Sequence, residues 1–373
     1  MESKHLQSLV WLRAFAAFSV VLSHVLRAAE VKYSVNDEVG DIFLLSYLDI
    51  GTFGVYLFFT LSGCTLYLSS EGKINNFKDF GSFYFKRFMR IWPAFAISLL
   101  LYIVFIEIFR AFYISDHSFW IASFLDSYTL YNVFQYLSLT FNFTGPNGLF
   151  IGPYWSLPVE FQYYLLLPFA LFLMKSNRLS LVTPLIFGAA LYYIYQKSFF
   201  IIDRHEVFKM AYTFFGGVLL AVIYKKINLR IPMKIAMPLI LVVIIYVVLV
   251  RANILVIPEK VLFLSDKENL YGFLSLVCVG IALFAMTSPI SNGFIRIVNT
   301  YGEISYSIYL FHMMFIGISV LLITHFEIYG SNLKTIFILL FSVISSYVFS
   351  KYTYIYIEKE SMIFARKIVN KSS

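Results

Sequence analysis

The run from Ser8 to Leu26, SLVWLRAFAAFSVVLSHVL, decides how the rest of the chain is read. It is apolar over about the 20 residues a helix needs to cross the hydrocarbon layer of a bilayer. A surface helix of a soluble protein shows one apolar and one polar face, whereas here apolar side chains go all the way round. Two residues interrupt the run, Arg13 and His24. An ionisable group at such a depth costs about 2.5–3.5 kcal/mol on insertion scales, so each needs a partner or a function.

Nine further apolar runs follow, at about 52–70, 91–109, 156–174, 180–196, 207–224, 235–251, 270–287, 303–324 and 333–352. The sequence therefore predicts an all-α, polytopic integral membrane helical bundle of about ten transmembrane helices. It reads as a single transmembrane domain over 1–373 with a tail at about 357–373. The first run is taken as a retained span, because Arg13 and His24 break the uniform apolar stretch of a signal peptide.

Composition leads to the same place. Of 373 residues, 60% are hydrophobic and only 13% charged, against about 25% charged in a soluble domain. Mean hydropathy is +0.78. Too few polar side chains remain to cover a water-facing globule, so the lipid bilayer is the solvent for most of the chain. The net charge of +8 would elsewhere suggest a nucleic-acid partner. Here Lys and Arg fall mostly in short gaps between apolar runs, with no RNA or DNA motif, and nucleic acid is excluded. Cys64 and Cys278 lie inside apolar runs without metal-ligand spacing and read as small core residues, with no metal site. Nothing in the pattern sets an oligomeric state.

The positive charges also orient the chain. With the N-terminus in the cytoplasm, the gaps on that side hold Lys73, Lys78, Lys86, Arg87 and Arg90, then Lys175 and Arg178, then Lys225, Lys226, Arg230 and Lys234, then Arg296. The tail adds Lys359, Arg366, Lys367 and Lys371. Both termini are therefore expected to be cytoplasmic. The one long gap, about 110–155, lies outside and is rich in aromatics, which suits short helices lying at the interface. Its sequon, Asn142-Phe143-Thr144, is too short a pattern to carry weight.

Four segments can carry chemistry. Arg13 and His24 are 11 residues apart in sequence, which returns a helix to within about 20° of one face over a rise of about 16 Å. One face thus presents a fixed cation below and, above it, an imidazole able to take and return a proton near neutral pH. Lys86-Arg87-Phe88-Met89-Arg90-Ile91-Trp92-Pro93 sets three cations before an expected helix start, a combination that suits phosphates. Tyr154-Trp155-Ser156-Leu157-Pro158-Val159-Glu160 opens the fourth span and puts Glu160 at a depth similar to that of His24. There a carboxylate can orient the imidazole or hydrogen-bond a sugar hydroxyl. Ser305, Tyr309 and His312 share one helical face by their steps of four and three residues, and packing between helices is the preferred reading. Gly51, Gly54, Ser62 and Gly63 likewise read as close-packing positions.

In this order, Leu12-Arg13-Ala14 through His24, Gly54 through Gly63, Lys86-Arg87 through Pro93, Tyr154 through Glu160 and Ile304 through His312 resemble the acyltransferase 3 family. That family of membrane acyltransferases includes O-antigen, capsule and nodulation-factor acetylases. The resemblance spans roughly residues 8–360. It implies a ten-span helical protein of the bacterial inner membrane that takes acetyl groups from cytoplasmic acetyl-CoA and delivers them to glycans outside. It also implies that His24 is the catalytic imidazole with Arg13 its partner on the donor side. Lys86, Arg87 and Arg90 would then meet the coenzyme's phosphates, and Glu160 would sit near the carbohydrate acceptor. Lys86 stands where many members have arginine, which implies looser phosphate recognition. No SGNH-type domain follows the last span, so a stand-alone member is expected.

On this reading acyl-CoA docks on the basic cluster and its thioester reaches His24, which either accepts the acyl group or deprotonates the acceptor hydroxyl. Two other readings compete: a transporter or exporter of a glycan or small solute, and a glycan polymerase or ligase. A transporter commonly shows two halves with matching broken helices, and no such repeat is visible.

Overall fold

Without water, a backbone N–H or C=O needs another backbone group as partner, and the α-helix satisfies all of them within one segment. The apolar runs accordingly form helices. They are α1 Gln7–Ala28, α2 Gly51–Ser70, α3 Phe77–Phe112, α4 Ser156–Leu173, α5 Val182–Gln196, α6 Ala211–Lys226, α7 Met233–Arg251, α8 Lys267–Phe284, α9 Gly293–Glu303, α10 Ser305–His325, α11 Ser331–Thr353 and α12 Lys359–Ser372. The computed structural model describes residues 7–29, 47–112, 128–144, 152–175, 179–197, 206–255, 263–286, 292–326 and 331–372. Among these, strand is confined to Ile231–Pro232 and Ala285–Met286, paired in parallel.

Eight helical stretches among the described residues are long and apolar enough to cross a bilayer. The other two expected runs form α5 and α6, which at 15 and 16 residues are shorter than the usual span of about 20; they pack along each other. The chain is an all-α, polytopic membrane protein. On α7, Leu239, Leu241, Val242 and Ile245 are exposed, a surface that suits lipid and would be a liability in water. The segment expected as a tail is helical: a π-helical turn, Tyr354–Glu358, leads from α11 into α12.

The expected outer gap bears short helices, Leu130–Leu137 and Phe141–Thr144. Leu130, Tyr131 and Phe134 are exposed, as an interfacial helix requires, whereas 113–127 and 145–151 lie outside the described residues. Asn142 of the sequon is buried, which disfavours modification there. Arg178 also lies outside the described residues.

One expectation needs correction. The third span was read as beginning beside Lys86–Pro93, with free N–H groups available to an anion. Instead α3 begins at Phe77 and runs through Pro93 to Phe112. Asn76 caps its first turn: the side-chain oxygen accepts the N–H groups of Lys78 and Asp79, and Asp79 reaches back to the N–H of Asn76. This is a capping box in acidic form. Lys86, Arg87 and Arg90 are therefore inside a helix, and attraction for an anion rests on their side chains. At 36 residues the helix is about 54 Å long and outruns a hydrocarbon layer of about 30 Å, so its charged end, before Ile91, extends beyond the layer.

The described residues fall into two compact units, one drawn from 1–17, 52–84 and 159–303, the other from 18–51, 85–158 and 304–373. In the first, α6 packs on α5 and α8, and α7 packs on α8. α2 and α6 cross at two glycines. A Cβ on Gly63 would lie 2.0 Å from the Phe214 carbonyl oxygen, and one on Gly217 would lie 2.1 Å from that of Thr60. Backbone therefore rests on backbone, the arrangement that gives membrane helices their dispersion contact. Thr60 and Ser275 add a buried hydrogen bond of 2.8 Å between α2 and α8. Cys64 and Cys278 are buried, free thiols in this unit, as their sequence setting suggests. In the second unit α10 packs along α11. Tyr306 donates to the Ile91 carbonyl at 2.9 Å, Tyr154 donates to Ser98 Oγ at 2.7 Å, and Trp92 donates to the Leu137 carbonyl at 2.9 Å.

The glycine crossing gives a direct test. Gly217→Leu drives a side chain into the Thr60 backbone, and overpacking of this kind costs about 1–3 kcal/mol or more. Its melting temperature in detergent should fall, with loss of monodisperse protein. Gly81→Ala, where no atom lies within 4 Å of an added Cβ, should leave melting unchanged or raise it slightly, by helix propensity.

Candidate functional site

α1 carries the imidazole and the arginine singled out by the sequence, and it is unbroken between them. His24 is half-buried. Its Nδ1 lies 2.9 Å from the Val20 carbonyl oxygen one turn earlier. A carbonyl can only accept, so Nδ1 carries the proton and, in the neutral ring, Nε2 carries the lone pair. The same Nδ1 is 3.2 Å from Nε2 of His312 on α10, and the two rings sit 5.1 Å apart at a tilt of 44°. Both residues belong to the second unit. A backbone contact and a second histidine thus orient the ring and leave Nε2 as its basic and nucleophilic atom.

Arg13 and Glu160 belong to the first unit, and polar contacts along α2 tie them into one belt. Arg13 Nη2 donates to Thr65 Oγ1 at 2.8 Å, and that hydroxyl donates to the Leu61 carbonyl at 2.7 Å. One turn away, Ser62 Oγ donates to Glu160 Oε1 at 2.9 Å. The Tyr164 hydroxyl donates to the same oxygen. Two hydroxyls spending their single protons on one oxygen make Glu160 an acceptor. Ser62 and Tyr164 thus supply donors to the half-buried Glu160 carboxylate, in the same belt as Arg13. Ser62 is accordingly a hydrogen-bonding residue here as well as a small one.

Lys86, Arg87 and Arg90 lie in the second unit, on α3. Steps of three and four residues gather their side chains on one face of the helix, and each is partly exposed. That face is a local concentration of positive charge near a helix end that outruns the hydrocarbon. Pro93 follows within a turn and has no N–H for the Met89 carbonyl, so one backbone acceptor on this stretch lacks its intrahelical donor.

Three residues at these sites escaped the sequence reading. Tyr164 is four residues after Glu160, a helical neighbour spacing that could have marked it. Thr65 had no signal beyond its place on a span. His312 was noticed on the shared face of Ser305 and Tyr309 and assigned to packing. Packing does hold for Tyr309, whose hydroxyl donates to the Pro153 carbonyl and accepts from Ser156 Oγ at 2.7 Å. One turn further on, His312 is wholly buried and meets His24.

A spanning helix with an oriented imidazole, a belt of half-buried charge held by hydroxyls, and a cationic helix face make up the candidate site. A family model described as an acyltransferase domain matches residues 6–351. Neither curated proteins nor solved structures give a match. Nearly the whole chain falls within the matched region, so the protein belongs to the acyltransferase 3 family and is a multi-pass membrane acyltransferase.

Proposed function

We propose that this acyltransferase moves an acetyl group from cytoplasmic acetyl-CoA to a hydroxyl of a cell-envelope or exported glycan, at the bacterial inner membrane. The observation that carries the proposal is His24: an imidazole within a spanning helix whose Nδ1–H faces acceptors, the Val20 carbonyl first among them, leaving Nε2 to react. Membership in an acyltransferase family disfavours the transport reading, which needs no such nitrogen.

In the direct route, Nε2 removes the proton from the acceptor hydroxyl as its oxygen attacks the thioester carbonyl. The new C–O bond forms, the C–S bond breaks, and the imidazolium returns its proton to the departing thiolate. In the covalent route, Nε2 attacks the carbonyl first and the thiolate leaves. The acceptor oxygen then displaces the imidazole, and its proton neutralises the departed thiolate. Both routes use the same lone pair, and both gain from a site that keeps water from the thioester. The phosphates of the donor are assigned to Lys86, Arg87 and Arg90, with arginine giving bidentate contacts where lysine gives a point charge. Arg13 is assigned to the donor side, and Glu160 to hydrogen bonding with a sugar hydroxyl.

Membranes containing His24→Ala, incubated with radiolabelled acetyl-CoA, should transfer label to extracted glycan at least about 100-fold more slowly than wild type, the usual scale of a lost general base. Full labelling by a variant that still inserts would defeat the assignment. The double variant Arg87→Gln/Arg90→Gln should raise the KM for acetyl-CoA about tenfold or more and leave that for the acceptor unchanged. An unaltered donor KM would remove the phosphate site from α3.

A further inference from the structure

We propose that His312 is the positioning residue of the transfer site: its Nε2 accepts the Nδ1–H of His24 and holds that ring in the tautomer whose Nε2 is free to act. The inference rests on the reading of His24 as the transfer group, and it assigns a role to a residue which that reading leaves unused.

The backbone of α10 fixes the donor and acceptor roles. His312 Nδ1 lies 2.8 Å from the Tyr309 carbonyl oxygen and 3.2 Å from that of Ile308. Both oxygens only accept, so Nδ1 of His312 must carry its proton and Nε2 must present a lone pair. That lone pair faces His24 Nδ1 at 3.2 Å, the nitrogen whose proton the Val20 carbonyl also attracts at 2.9 Å, so the two acceptors share one N–H. Two separate helix backbones therefore impose the same polarity on one chain of contacts, from His24 Nδ1–H to His312 Nε2 and from His312 Nδ1–H to Tyr309 O. Reversing it would turn lone pairs toward carbonyl oxygens at both ends, with the unpaired-acceptor cost of a buried site.

Packing alone does not account for the contact. His312 is wholly buried, and burying an imidazole among apolar neighbours is unfavourable unless its nitrogens are paired. A leucine would fill such a space more cheaply. The ring is also held from the outside: one turn before it, Tyr309 is anchored through its hydroxyl to the Pro153 carbonyl and to Ser156. When Nε2 of His24 takes a proton, its Nδ1–H becomes a stronger donor, and His312 already faces it as a neutral acceptor. A carboxylate serves this purpose in many triads; here a second imidazole fits, because it orients the ring without burying a second charge.

The test compares His312→Gln, whose side-chain oxygen reaches the place of the Nε2 atom, with His312→Asn, which keeps a donor for the helix carbonyl and ends short of His24. Both are polar and alter the core to a similar degree. With ¹⁵N-histidine labelling in lipid, and the His24 signals assigned by their loss in His24→Gln, wild type should show His24 protonated on Nδ1 and bare on Nε2. His312→Asn leaves the Nδ1 proton of His24 to the Val20 carbonyl alone; it should let the other tautomer appear beside the wild-type one and lower kcat by about 100-fold with the KM for acetyl-CoA unchanged. His312→Gln should restore the single tautomer and at least about tenfold of the lost rate. A wild-type His24 tautomer and rate in His312→Asn, or equal losses in both variants, would overturn the proposal alone. Retained activity in His24→Ala would instead overturn the transfer reading, and this role with it.

Discussion

Lipid offers a polar side chain no partner, so every such group within a span must find one in the protein. In the first unit this constraint joins α1 to α2 through Arg13 and Thr65, α2 to α4 through Ser62 and Glu160, and α2 to α8 through Thr60 and Ser275. In the second it joins α1 to α10 through His24 and His312. Hydrogen bonds between membrane helices contribute about 0.6–2 kcal/mol each, too little by themselves to hold the fold. Close backbone contact, as at Gly63 and Gly217, supplies dispersion. The polar pairs add direction, because each is satisfied in only one register of its helices.

The same scarcity of partners makes the imidazole chemically definite. In water, a histidine samples both tautomers and many partners. In α1 a helix carbonyl one turn back takes the Nδ1 proton, and His312, itself polarised by the α10 backbone, meets the same nitrogen. Which nitrogen of the ring carries the lone pair thus follows from backbone geometry. Glu160 takes its hydrogen bonds in the first unit, within a belt that also contains Arg13.

Much of this was legible in the sequence where a single helix carries the information. Unrelieved apolar runs give spans, and the 11-residue separation of Arg13 and His24 gives a shared face once α1 is continuous. The start of α3 was misjudged because hydropathy registers only its apolar half. Asn76-Phe77-Lys78-Asp79 was the available signal, since an Asn three residues before an acid is a cap pattern. Pairings across distant segments are another matter. His312 is 288 residues from His24, and spacing on α10 reveals a face without saying what it meets. Glu160 shows the same limit: its depth and its Tyr164 donor can be counted along α4, but its Ser62 donor on α2 depends on how the helices pack.

The central claim is that a lone imidazole nitrogen, oriented inside the membrane protein, receives a donor from the charged side and serves an acceptor on the other. Sidedness tests it most directly. Purified protein is reconstituted in sealed vesicles with one orientation, verified by protease access to the Lys86–Arg90 end of α3, and labelled acetyl-CoA is supplied on one side and acceptor glycan on the other. The account predicts transfer across the sealed bilayer when the donor is on the side of Lys86, Arg87 and Arg90, and none when donor and acceptor are exchanged. Equal transfer in both arrangements, or transfer only when donor and acceptor share a side, would contradict it.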